Sequence, residues 1–150
     1  MFDSSADTSV PIEFNPVAGT ILVCNYGQSM IPPEMEKKRP VVVISPSFKH
    51  RSKLATVVAL STTVPDPVEA YHFELALNPP LPFPYDSPTM WVKGDMLFTA
   101  SHDRLDRFAL GKNAAGERTY GIRQVPDGVL PNIQKAVLNG LGLGRITPHI

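Results

Sequence analysis

One cysteine, Cys24, is all that the sequence holds. An internal disulfide is therefore excluded, and a thiolate zinc cluster has too few ligands. No apolar run approaches the ~18 residues that a membrane-spanning helix needs. The opening residues, MFDSSADTSVPIEF, lack the basic and apolar regions of a secretory signal. Charge of one sign is missing too: fourteen Lys and Arg balance fourteen Asp and Glu, so the total neither demands nor excludes a nucleic-acid partner. HxxxH, CxxC, GxxxxGK[ST], GxGxxG and a nucleophile elbow are all absent. These absences lead to the expectation of a soluble, cytoplasmic protein without membrane contact, metal or cofactor.

Proline is present in excess, with sixteen in 150 residues against a usual ~5%. Proline breaks helix interiors, so an all-helical bundle is disfavoured and a mainly β chain expected. Residues 1–18 carry Asp3, Asp7 and Glu13 with no basic residue and read as an acidic, poorly ordered arm. A single domain is expected over 19–150. Strand character starts at residues 20–26 (TILVCNY) and returns at 40–46 (PVVVISP) and 55–61 (ATVVALS), both runs apolar enough for burial on two faces. Residues 70–77 alternate like a half-buried strand. Residues 78–88 hold five prolines and should form an irregular loop. Strand bias resumes over 90–100, with Gly94 a candidate bulge, and again over 117–123. Leu130, Ile133, Val137 and Leu141 share one helical stripe, capped by Asp127 and stopped by Gly140–Gly144. The expected fold is a small curled β-barrel with a C-terminal helix.

Local charge is more informative than the total. Residues 34–53 contain six basic side chains (Lys37, Lys38, Arg39, Lys49, Arg51, Lys53) and two acids. Such a run would hold phosphates or simply be solvated. Arg39 stands at the mouth of a valine-rich strand, and its fork matches phosphate geometry. Ser61, Thr62 and Thr63 end the next apolar run, and Lys93 and Asp95 flank Gly94. A cation, a hydroxyl and a carboxylate are what metal-free RNA cleavage uses, because the substrate brings its own 2′-OH nucleophile. Trp91 and Tyr85 would either stack bases or serve the barrel wall and loop.

The run GTILVCNYG, then Glu34, then KKRPVVVISP, then TVVALSTT resembles the PemK/MazF family of toxin–antitoxin toxins. WVKGDMLFT and DRLDRF are similar to later elements of the same family. The resemblance spans Gly19 to about Phe108, with a compatible C-terminal helix. It implies an SH3-like barrel of the CcdB/PemK type, a homodimer, and a metal-independent endoribonuclease that cuts single-stranded mRNA and inhibits growth. It also implies a cognate antitoxin whose C-terminal segment fills the substrate groove.

Residue by residue, the resemblance gives Arg39 as the catalytic arginine and Thr62 as the active-site threonine, with Ser61 or Thr63 in its place if the register slips. Asp95 matches the base, Lys93 stands where relatives carry an acidic-step arginine, and Glu34 matches the loop glutamate. Lys38, Lys49 and Arg51 are expected to contact the RNA backbone. Pro32 and Pro33 before Glu34, Lys93, and Leu97 depart from the family pattern. The rivals are a CcdB-like toxin that inhibits a protein such as gyrase, and a catalytically silent barrel acting as an interaction module.

Overall fold

The computed structural model describes residues 11–27 and 29–150. Among the described residues, nine strands and one α-helix follow in the order β1 (Thr20–Asn25), β2 (Lys38–Val43), β3 (Leu54–Ser61), β4 (His72–Ala76), β5 (Thr89–Ser101), β6 (Leu105–Asp106), β7 (Phe108–Lys112), β8 (Arg118–Gly121), β9 (Arg123–Gln124) and α1 (Leu130–Gly140). Seven strands form one antiparallel sheet in the order β4-β5-β3-β2-β1-β6, with β9 also pairing β1. β7 and β8 form a separate hairpin. The main sheet curls into a half-barrel with a single C-terminal helix, as the strand count and the proline content imply.

Side-chain alternation along each strand sorts the core into two clusters. Leu22, Cys24, Val41, Val43, Val57 and Ala59 pack on one face with Tyr26 and Met35. Ile21, Val42, Val58, Leu60 and Val92 pack on the other, beneath Ile133 and Val137 of α1. Both faces are covered, which is why the valine runs of β2 and β3 show no polar alternation. Of the N-terminal arm, residues 1–10 lie outside the described residues. Ile12 joins the first cluster at 5% exposure, and its N–H donates to the Leu105 carbonyl at 3.2 Å.

The bulge falls where the glycine suggested. Val58 pairs Leu97 while its neighbour Ala59 pairs Lys93, so Gly94, Asp95 and Met96 are extra residues on β5. A Cβ on Gly94 would lie 2.6 Å from the Tyr71 carbonyl oxygen and 2.6 Å from the Ala136 carbonyl carbon. Only glycine lets α1 approach the bulge this closely.

The helix differs from expectation at both ends. Val129 occupies the N-cap without a side-chain hydrogen bond, and proline sits in the first turn. Asp127 is therefore not the cap. Leu141 is the C-cap residue and 57% exposed, because the chain leaves the helix before the stripe returns to the core. The glycine stop is a Schellman turn: Gly142 takes φ +75, and the N–H of Leu143 donates to the Leu138 carbonyl at 2.7 Å. The expected last strand, 117–123, is two strands, since β8 pairs β7 while β9 pairs β1.

Candidate active site

Arg39 is placed by register. It pairs with Cys24 of β1, while two residues further along β2 Val41 pairs with Ala59 of β3. Continuing that antiparallel register puts Arg39 across from Ser61, which pairs in turn with Trp91 of β5. Lys93 pairs with Ala59 on one side and with His72 of β4 on the other. Directly paired residues share a face, so Arg39, Ser61, Trp91 and Lys93 line one face of the sheet, at the end where β2 begins and β3 finishes.

Two buried polar atoms in this neighbourhood have no hydrogen-bond partner, Arg39 Nε and the Tyr26 hydroxyl. Burial pushes the Tyr26 phenol up and Cys24 adds to the rise, while the Arg39 charge pulls it part of the way back. Native interiors rarely leave such groups unsatisfied, and here the Nε of a guanidinium and the hydroxyl of a phenol both stand without a partner. A phosphate oxygen is the kind of acceptor that both would satisfy. Sequence reasoning missed Tyr26; its only signal is a tyrosine directly after an apolar strand.

The remaining candidates divide. Glu34 and Asp95 line a single cavity of ≈ 320 Å³ together with Tyr26, Met35, Met96 and Phe98. Asp95 is exposed in the bulge. Glu34 accepts the Ile31 N–H at 2.8 Å through Oε1 and donates its own N–H to the Ile31 carbonyl at 2.9 Å, which ties the β1–β2 loop into a tight turn. Leu97 lines the same cavity and is 38% exposed.

Ser61 is 9% exposed, and its Oγ accepts the Thr63 N–H at 3.1 Å. Its hydroxyl proton is left to donate. Thr62 and Thr63 are exposed in the bend beyond β3. The hydroxyl that shares a strand face with Arg39 is thus that of Ser61, with Thr62 next along the chain. His72, another residue that sequence reasoning missed, accepts the Glu69 N–H at Nδ1 (3.0 Å).

Lys49 and Arg51 are not brought to this place. They lie in the loop joining β2 to β3, beyond the far end of β2, about 16 Å from its start at a strand rise of ~3.3 Å per residue. Arg51 instead stacks its guanidinium 4.9 Å from the Phe48 ring centre. Lys38 alternates with Arg39 and faces the other side of the sheet. Trp91 is 8% exposed and forms part of the wall. The Cys24 thiol is fully buried, and that burial pushes it up to about 12, offset in part by Arg104. It stays protonated at neutral pH and is no nucleophile. Among the described residues, no three His, Cys, Asp or Glu side chains gather as a metal-binding group, and no helix is long and apolar enough to cross a membrane.

The profile of a family described as PemK-like, MazF-like toxin of type II toxin-antitoxin system matches residues 18–136. The chain belongs to this family. It is 32% identical over 149 residues to the uncharacterized protein YifN of Escherichia coli (strain K12), covering 87% of this chain and 94% of that one. MazF from Deinococcus radiodurans superimposes with a TM-score of 0.56 at 16% identity, covering 87% of this chain and 99% of that one; the same toxin has been solved with MazE. An endoribonuclease from a mycobacterial species gives a TM-score of 0.52 at 20% identity, over 85% and 92% of the two chains. At these identities the structural likeness establishes the PemK/MazF barrel, and the family match establishes the toxin lineage.

Proposed function

We propose that this PemK/MazF member is the toxin of a type II toxin–antitoxin pair, acting in the cytoplasm as a metal-independent endoribonuclease on single-stranded mRNA. The observation that carries this reading is Arg39, whose Nε is buried without a partner, as is the Tyr26 hydroxyl on which its charge acts. An enzyme that stabilises developing phosphorane charge needs donors already desolvated and unpaired in the free protein.

In this reading Asp95 takes the proton of the substrate 2′-OH, and the 2′-oxygen attacks the adjacent phosphorus. The bond from phosphorus to the 5′-oxygen breaks, and Lys93 supplies the proton to that leaving oxygen. Arg39 offsets the charge on the non-bridging oxygens, while Thr62, with Ser61 beside it, orients the phosphate. Glu34 shapes the loop over the cavity. The products are a 2′,3′-cyclic phosphate and a 5′-hydroxyl. Growth inhibition follows from loss of mRNA. A homodimer and an antitoxin segment lying in the groove belong to the same proposal, since the related Deinococcus toxin is known with its MazE partner.

The test is a single-stranded RNA compared with the same strand carrying one 2′-deoxy residue at the cut. The RNA should be cut in EDTA and the substituted strand spared at that position. Cutting of the deoxy strand, or loss of cutting in EDTA, contradicts the mechanism.

A further inference from the structure

The end of the sheet that carries Arg39 has a second cleft, around the strand ends from the first. Lys38 lines it with Phe83 and Tyr85 from the proline-rich loop, Arg107, and Arg118 and Tyr120 from around the β7–β8 hairpin. Phe83 is 84% exposed, a large apolar ring held in water by a loop that proline stiffens. The Arg107 guanidinium carbon stands 4.8 Å from the Tyr120 ring centre, so a flat cation lies on a flat ring at the cleft wall. Lys38, Arg104, Arg107 and Arg118 line the cleft against Asp103 and Asp106, which leaves its balance positive.

Size narrows the occupant. The cleft measures ≈ 160 Å³, and a dry protein cavity of ~150 Å³ takes one benzene ring. The cleft thus has room for one planar ring. The cleft is also tied to the catalytic strand. The Tyr85 hydroxyl donates to the Lys38 carbonyl at 3.4 Å, its ring meets Phe108 edge-on at 6.3 Å, and the Arg39 charge acts on its phenol.

We propose that this cleft holds one nucleobase of single-stranded RNA adjoining the scissile phosphate, stacked against Phe83 and the Arg107–Tyr120 pair. The proposal rests on the ribonuclease reading and adds to it a place where the strand beside the cut is gripped. Flat aromatic and guanidinium surfaces with positive charge nearby are the surfaces that bind single strands, the rings taking bases and the cations taking phosphates.

The experiment uses the full chain and an RNA that the wild-type protein cuts, made uncleavable by one 2′-deoxy residue at the cut. An abasic residue is then moved through the flanking positions, and affinity is read by fluorescence anisotropy. Phe83→Ala and Tyr120→Ala should each weaken binding roughly five- to 150-fold, the range for losing one base stack. One abasic position should cost the wild type a similar factor and cost Phe83→Ala nothing more. Because Phe83 is exposed, its variant should keep the wild-type circular dichroism spectrum. Wild-type affinity in a Phe83→Ala protein, with RNA cutting intact in the parent, overturns the subsite and leaves the nuclease reading standing. A parent that neither binds nor cuts RNA overturns both. A Phe83→Ala protein that keeps RNA but loses its antitoxin assigns the cleft to a protein partner and also overturns the proposal.

Discussion

Replacing Gly94 by alanine adds one methyl group at the place where α1 meets the bulge of β5. That Cβ would stand 2.6 Å from the Tyr71 carbonyl oxygen, 2.6 Å from the Ala136 carbonyl carbon, and closer still to the Ala136 oxygen. Ordinary contact begins near 3.4 Å, so at the Ala136 oxygen the structure must open by about 1 Å. Both walls are backbone, and the Gly94 N–H already donates to the Tyr71 carbonyl at 2.8 Å, so no side-chain rotation relieves the clash. Overpacking a tight core costs about 1–3 kcal/mol, and two rigid walls place this change at the upper end. For a domain of this size each kcal/mol lowers Tm by about 2–4 °C, so Gly94→Ala should melt roughly 6–12 °C below the parent. RNA cutting should fall further than stability does, because Gly94 lies between Lys93 and Asp95. Gly140→Ala strikes the same contact from the helix, 2.7 Å from the Gly94 carbonyl oxygen, so the double variant should lose less than the sum of the two. Gly121→Ala is the control: its Cβ meets only the end of the Leu110 side chain, which can turn away. A Gly94→Ala protein melting within a degree of the parent would refute the close approach and the reason given for this glycine.

Arg39→Ala should slow RNA cutting about 10²–10³-fold, the usual cost of removing a transition-state donor. Arg39→Lys should rescue little of it, since an ammonium lacks the bidentate fork; single-turnover rates check both. Tyr26→Phe removes a buried hydroxyl with no partner, and leaving such a group unpaired costs about 1–3 kcal/mol. Its urea midpoint should match or exceed the parent's while cutting slows, and a lower midpoint would show that the hydroxyl has a structural partner. The Cys24 thiol is raised from 9.0 to about 12 by burial, so the folded state keeps a proton that the unfolded chain releases. Stability should hold below pH 9 and fall as pH climbs toward 12. The Tyr26 phenol, raised in the same direction, adds to the slope. Urea titrations at pH 8 and 10.5 should show a smaller loss in Cys24→Ala than in the parent.

The central strands were legible because Thr20–Asn25, Lys38–Val43 and Leu54–Ser61 carry β-branched runs that only a doubly covered sheet accommodates. The β7 strand was not. Only Phe108 of Phe108–Lys112 is buried, so the hairpin has no apolar alternation to betray it; backbone pairing, the Thr119 hydroxyl bond to the Gly111 carbonyl and the Arg107–Tyr120 stack hold it. Gly94 marked the bulge, but nothing along the chain signals that three residues are inserted there. Arg39 stands out in the sequence through its position ahead of the valines. Its neighbourhood was harder, because the basic run of 34–53 is continuous in sequence and divided in space. Lys37–Arg39 stand where β2 begins, and Lys49–Lys53 lie beyond its other end. Tyr26 draws attention only through burial and His72 only through its pairing with Lys93, neither of which a linear pattern contains.

The most direct test of the account is to incubate the wild-type protein and Arg39→Ala with a mixed-sequence single-stranded RNA in EDTA and to map the ends produced. Discrete cuts by the wild type alone are expected, each leaving a 2′,3′-cyclic phosphate and a 5′-hydroxyl. Intact RNA with the wild type, or equal cutting by a folded Arg39→Ala protein, would contradict it.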